Sequence, residues 1–381
     1  MKVGVTSWFA NLPEYEARVV TGDYSKPYPV SDNARLHQEL QLADLVEPLG
    51  FDSFWTIEHH FSPYGMTTNP ITLLSYMAGR TERIDLGSMV MVLPWHDPLY
   101  VAEDIAMLDN LLKGRRFWIG MGRGFAAREY NATRIPYATS RQRMEEILEV
   151  ARLGLTEEFF SFQGEIFDIP QTTIRPRPLS ENITERMMMV WASDESLALA
   201  AHAGMAPLFT NYIGWDSLAE QVNTFSEIRA SHGWDPIPST VAVTIYCHED
   251  QEYAEEQGEK YWRKTSDSTF WHYDRIGRQD WLPDLGTEEK RHFLDERYND
   301  QASAGIFGTP EYLIEQITEL QKVANIGHLI TLHSYGDMPQ EDKERNMKTF
   351  ASEVLPTIKQ IPTGEIWATP YAEVRGESAR S

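Results

Sequence analysis

The chain has a single cysteine, Cys247, among 381 residues. An internal disulfide is excluded, and the apolar run Val241 to Cys247 around it fits a buried, inert thiol better than a reactive one. Basic residues are also few: 34 Lys and Arg stand against 57 Asp and Glu, a formal charge of -23. Nucleic acid and anionic membrane surfaces both demand a cationic footprint that this balance does not supply, so neither is expected as a partner. No stretch approaches the ~20 consecutive apolar residues of a membrane span. Met1 to Phe9 lacks the apolar core and small-residue cleavage site of an export signal. The expectation is a soluble, cytoplasmic protein, with no internal repeat, low-complexity tract or heptad run.

What the sequence does have is alternation. Short apolar or β-branched runs recur between longer segments of helical period, the pattern of parallel strands joined by crossover helices. Eight runs qualify: Lys2 to Phe9, Ser53 to Ile57, Ile84 to Val92, Arg116 to Met121, Met187 to Ala192, Leu208 to Tyr212, Val241 to Cys247 and His328 to His333. Eight is the number of the (β/α)8 TIM barrel, an α/β fold, predicted here as one domain over residues 1–360. Helix ends are readable. Asn69-Pro70 and Ser140 open two of them, and further helices are expected from Ser31 to Leu49, Pro98 to Leu112, Ser196 to Ala203, Ser217 to His232, Thr309 to Val323 and Gln340 to Val354. Two stretches exceed a minimal barrel: Glu157 to Arg186, rich in proline, and Ser266 to Gly305, rich in Trp, Tyr, His and charge. The second, near the seventh strand-helix unit, is expected to be a mobile lid. Residues 361–381 are expected to form an arm or a disordered tail.

In a barrel the site lies at the carboxyl ends of the strands. The second strand delivers Glu58-His59-His60-Phe61. Neighbouring side chains on a strand point to opposite sides, so His59 and His60 are not expected to serve one centre, and one of them suits acid/base work as well as a structural role. Neither H-x-H in the first strand nor H-E-x-x-H occurs, and no metal is expected. The fourth strand ends in Gly120-Met-Gly-Arg123-Gly-Phe125, which reads either as a ligand loop with a phosphate-binding arginine or as a barrel turn. After the fifth strand, Ser193-Asp194-Glu195-Ser196 opens a helix whose free amides can take an anion, or simply caps it.

Together these residues resemble the luciferase-like monooxygenase family, bacterial luciferase alpha subunits included. The likeness is carried by Gly50-Phe-Asp-Ser-Phe-Trp-Thr-Ile-Glu-His-His-Phe-Ser-Pro-Tyr-Gly-Met-Thr-Thr-Asn-Pro70, by Gly79 to Gly87, Val92-Leu-Pro94, Ala102-Glu-Asp104 and Gly124, and more weakly by Val190-Trp-Ala-Ser193 and Gly308-Thr-Pro310. The resemblance implies that His59 is the catalytic histidine and that Arg123 holds the phosphate of flavin mononucleotide (FMN), helped by Ser193, Asp194, Glu195, Ser196 and Arg141. It places the backbone of Glu58 and of the Met89-Val90 pair, joined in the family by a cis peptide, beside the isoalloxazine, and Glu129 near the flavin.

The activity so implied is oxygenation of a small organic substrate by reduced FMN (FMNH2) and O2 through a C4a-(hydro)peroxyflavin, with a separate NAD(P)H:flavin reductase as partner and a homodimer or heterodimer as assembly. Hydride transfer with F420 on the same barrel, and flavin binding without turnover, are the alternatives. This chain also departs from luciferase. Gly122 stands where luciferase has its reactive cysteine, Asp97 where it has a second pocket histidine, with His96 beside it, and the tyrosine of the fourth-strand loop is missing. Light emission and a long-chain aldehyde substrate therefore do not follow.

Overall fold

The computed structural model describes residues 1–19, 21–190, 194–210, 214–274 and 305–366. Eight parallel strands close on themselves: β1 Lys2–Ser7, β2 Ser53–Thr56, β3 Asp85–Val92, β4 Phe117–Gly122, β5 Met187–Val190, β6 Ala206–Phe209, β7 Ser239–Cys247 and β8 Ile326–Leu332. β1 pairs with both β2 and β8, and the β6–β7 pairing completes the ring. Each expected run overlaps a strand, so the barrel reading holds. Trp191 and Ala192 at the end of the fifth run, and Asn211 and Tyr212 at the end of the sixth, lie outside the described residues.

The helices between strands are α1 Asp32–Val46, α2 Pro70–Arg80, α3 Pro98–Leu111, α4 Ala127–Thr133, α5 Ser140–Thr156, α6 Asp194–His202, α7 Trp215–Ser231, α8 Gln251–Asp274, α9 Pro310–Ala324 and α10 Gln340–Thr349. Their starts follow capping chemistry. Ser31, Asn69, Asp97 and Thr309 accept hydrogen bonds from first-turn amides, and proline occupies the start of α2, α3 and α9, where a missing N–H costs nothing. The main apolar core lies between the strands and these helices, where Phe54, Leu86, Phe117 and Leu329 are fully buried. A second cluster fills the barrel itself, with Trp55, Trp118, Met188 and Ile330 closing its interior.

The two stretches that exceed a minimal barrel do not begin as plain loops. Within Glu157 to Arg186, Phe160–Gln163 and Asp168–Thr172 form an antiparallel hairpin. The carboxylate of Glu146 on α5 holds its turn by accepting from the amides of Glu165, Ile166 and Phe167. Nor does the expected lid begin at Ser266. Residues 266–274 continue α8, whose Thr265, Ser268 and Thr269 hydroxyls donate to carbonyls of the preceding turn. Those back-bonds satisfy the hydroxyls within the helix. Residues 275–304 lie outside the described residues, as does most of the expected tail. A ninth parallel strand, Gly305–Gly308, pairs with β7, and α8 packs on it at Gly258, where a Cβ would overlap the Phe307 ring.

Candidate functional site

β2 ends at Thr56, and the chain beyond it carries Glu58, His59 and His60 over the barrel mouth. The two histidines part, although the strand has already ended before them. His60 Nε2 lies 3.2 Å from Glu58 Oε1, whereas His59 Nδ1 lies 3.1 Å from Glu129 Oε1. Each imidazole therefore has its own carboxylate.

Glu58 is fully buried and braces β2 against β3. Its Oε2 accepts from the Val92 amide at 2.6 Å, and its Oε1 also meets His96 Nε2 at 2.7 Å. Burial would raise the Glu58 carboxyl, but hydrogen bonds from His60 and His96 outweigh it and hold the group below the ordinary carboxylate range. His96 responds in the opposite sense: burial lowers it, the Glu58 bond and charge raise it, and the net shift is upward. This settles the departure at position 97. Asp97 caps α3, and its neighbour His96 reaches into the site instead.

Glu129 sits on the short helix α4, just past β4. Three nitrogens converge on its Oε1: the His60 amide at 2.6 Å, His59 Nδ1 at 3.1 Å and His272 Nε2 at 3.4 Å. Burial would push this carboxyl up, yet His59 and His272 together outweigh it and hold it at about 2. The next residue, Tyr130, donates its hydroxyl to the carbonyl oxygen of Arg123. One short helix thus holds the loop of the expected catalytic histidine with one residue and the loop of the expected phosphate-binding arginine with the next.

Arg123 is half-buried, with its guanidinium 5.2 Å above the Tyr137 ring, and among the described residues no carboxylate lies within ion-pair distance of it. It follows Gly122 and precedes Gly124, whose φ of 64° needs glycine. Arg141 lies in the first turn of α5. α6 starts at Asp194, so its first-turn amides face the carboxyl end of β5, and Ser196 is buried there. Ser193 and the side chains of Asp194 and Glu195 fall outside the described residues. The Met89-Val90 peptide is cis, within the interval where the β3–β4 register shifts.

Several residues of the site were not expected from sequence. Ser62 Oγ lies 2.8 Å from His272 Nδ1, the Tyr64 ring stacks on His272 at 4.6 Å, and the Tyr273 hydroxyl lies 3.3 Å from His59 Nε2. Ser62 and Tyr64 are in the motif-bearing string, and His272 and Tyr273 are in the aromatic stretch assigned to a lid; nothing local shows that the two meet. His59, Glu129 and His272 also offer ligand atoms within 4.8 Å of one another, a set of types that binds divalent ions elsewhere. A spacing search misses it because the three come from separate elements. His59 Nδ1 and the His60 amide meet Oε1 at hydrogen-bond distance, whereas His272 Nε2 and Glu129 Oε2 have no hydrogen-bond partner among the described residues.

Among the described residues no helix is long and apolar enough to cross a membrane. The luciferase-like monooxygenase family model matches residues 1–324. The chain is 27% identical to an alkanal monooxygenase alpha chain of Photobacterium leiognathi over 85% of this chain and 95% of that one. It is 28% identical to a limonene 1,2-monooxygenase of Rhodococcus erythropolis, over 83% and 81%. Among solved structures, monooxygenase RslO1 from Streptomyces bottropensis superposes with a TM-score of 0.77 at 23% identity, covering 94% of this chain and all of that one (100%). The oxygenating constituent of 3,6-diketocamphane monooxygenase from Pseudomonas putida, solved with FMN, gives 0.72 at 18% over 96% and 99%. An F420-dependent secondary alcohol dehydrogenase gives 0.66 at 15% over 93% and 98%. Likenesses this distant establish the barrel and no more. The family match over most of the chain establishes the rest: this protein belongs to the luciferase-like monooxygenases.

Proposed function

We propose that the protein binds reduced FMN delivered by a separate NAD(P)H-dependent flavin reductase and, with dioxygen, adds one oxygen atom to a small organic substrate. The observation that carries the reading is the bracket formed by α4: Glu129 holds His59 while Tyr130 holds the backbone of Arg123, at one end of the barrel. The residues fit the cofactor. An arginine with no carboxylate partner among the described residues, beside glycines at a strand end, suits a phosphate. When bound, the reduced flavin supplies the electrons that activate dioxygen.

The chain's own residues supply the rest. Arg123 fixes the phosphate end, with Arg141 and the α6 amides as further contacts. Glu58 locks the β2 exit to β3, so the backbone that would flank the bound flavin keeps its shape. His59 exchanges a proton at Nε2, the nitrogen not committed to Glu129. Buried aromatic rings of Trp8, Tyr64 and Trp262 exclude water around it. The two oxygenases among the sequence relatives support a reaction with dioxygen over hydride transfer with F420. Exposed Tyr76 on α2 and Tyr100, Met107 and Leu111 on α3 support a dimer through that face.

The test is a product screen with a flavin reductase, FMN and isotopically labelled dioxygen, read by mass spectrometry. Incorporation of one labelled oxygen is expected. Turnover only with reduced F420, and without oxygen, would overturn the reading. His59→Ala is expected to lower product formation by about 100-fold while FMN binding, followed by fluorescence quenching, persists. Unchanged product would remove His59 from the chemistry.

A further inference from the structure

If His59 exchanges a proton, as the proposed function has it, something must decide which ring nitrogen does so. We propose that Glu129 is the positioning residue that fixes His59 as the Nδ1–H tautomer, and that His272, carried on the last turn of α8, fixes Glu129 in turn.

Glu129 is held ionised, so its oxygens accept and cannot donate. Every nitrogen meeting Oε1 must then supply the proton. The His60 amide does so at 2.6 Å, an immovable backbone donor that pins Oε1 in place. His59 Nδ1, at 3.1 Å from the same atom, must carry its hydrogen there, which leaves a lone pair on Nε2. That lone pair faces the Tyr273 hydroxyl at 3.3 Å, a donor in the position a reacting O–H group would occupy. A proton leaving such a group passes to Nε2, the imidazolium so formed stays held by Glu129, and the proton returns by the same path.

His272 backs the carboxylate from the opposite wall. It is fully buried, and burial pulls it down to about 4 against the raising effect of Glu129, so it is neutral at ordinary pH with one ring hydrogen. Its Nδ1 lies 2.8 Å from Ser62 Oγ and its Nε2 3.4 Å from Glu129 Oε1, a close contact outside hydrogen-bond alignment. Tyr64 holds both rings, lying parallel to His272 at 4.6 Å and edge-on to His59 at 4.8 Å. Phe125 stacks on Tyr273 at 4.2 Å and keeps its hydroxyl over His59. One helix end thus supplies both the backing of the carboxylate, His272, and the donor in front of the imidazole, Tyr273.

The decisive measurement is the 15N NMR spectrum of full-length protein labelled on histidine, with His59 assigned by its loss in His59→Ala. Wild type is expected to show a protonated Nδ1 and an unprotonated Nε2 at position 59. Glu129→Leu, which keeps bulk but removes the acceptor, should shift the tautomer balance toward Nε2–H and lower product formation by about 100-fold with FMN binding retained. Glu129→Gln, which keeps a carbonyl acceptor, should retain the Nδ1–H signature and lose less activity, and it serves if the Leu variant does not fold. His272→Phe, which keeps the stack on Tyr64 but removes the imidazole, should leave the tautomer and cut product by about tenfold. A wild-type spectrum with Nε2–H, or a Glu129→Leu protein with an unshifted tautomer, would overturn the proposal. Because the tautomer is read without turnover, failure to find any oxygenated product would count against the proposed function alone.

Discussion

Glu39 and Glu129 are both buried carboxylates held at about 2, yet opposite kinds of partner surround them. Glu39, on α1, meets Lys343 of α10 at 2.8 Å and Arg35 at 3.4 Å, and accepts from Ser7 and Ser334 at the ends of β1 and β8. Burial draws the Lys343 ammonium down to about 8 against the pull of Glu39, so at neutral pH the cluster is a set of full charges. Around Glu129 the partners are imidazoles and a backbone amide. Cationic partners make a carboxylate a fixture that fastens two helices to two strand ends. Imidazole partners, whose rings can both donate and accept, suit it to orienting a ring in a site proposed to move protons. Equal depression of two acids therefore does not mean equal purpose; the partner type separates them.

The contrast can be broken most forcefully at Lys343. Lys343→Met leaves Glu39 buried with Arg35 as its one remaining cation beside the Ser7 and Ser334 hydroxyls, and is expected to cost about 3 to 5 kcal/mol in urea unfolding, while activity per folded molecule stays within twofold. A loss under 1 kcal/mol would mean that the Glu39 cluster is not the fastening it resembles.

Acid sharpens the contrast with a smaller effect. His272 is at about 4 in the fold against an ordinary 6.5, so between those values the unfolded chain binds the proton and the native chain does not. The stability it confers is present above about pH 6.5 and is lost as pH falls toward 4. The two glutamates, at about 2 against 4.5, lose theirs only below that, toward pH 2. Urea midpoints at pH 6.5 and 5 should therefore fall by on the order of 1 kcal/mol through His272, and His272→Asn should flatten the slope. Part of the slope should remain through His333, which burial also lowers to about 4. An identical slope in the variant would place the acid response elsewhere. The smallest effect belongs to a carboxylate in water: Lys322→Ala, which removes the partner of exposed Glu319, should change stability by less than about 0.5 kcal/mol.

The barrel was legible because its signal is local. Each strand run is short, apolar and punctuated, and capping residues such as Asn69 and Thr309 stand at fixed offsets from what they cap. The site was legible only in part. Glu58, His59 and Arg123 lie next to strand ends that can be counted, so their end of the barrel could be foreseen. Glu129 was expected beside a flavin, but its grip on His59 joins residues 70 apart in sequence, and the Tyr273 contact joins residues 214 apart. No periodicity encodes such a meeting; it follows from where α4 and α8 dock. The Ser62 to His272 pair and the Lys343 to Glu39 pair were invisible for the same reason, at separations of 210 and 304. The stretch Phe270 to Tyr273 stands out in sequence by its aromatic content, but nothing local shows that His272 and Tyr273 come to Glu129 and His59.

Strand Gly305–Gly308 and helix α8 have a consequence for variation. They tether the chain on either side of residues 275–304, one through a ladder with β7 and the other through the seat of Phe307 at Gly258. The Phe307 seat leaves no room for a side chain at position 258, so Gly258→Ala should loosen the ninth strand and the end of α8 before it disturbs the eight-stranded ring.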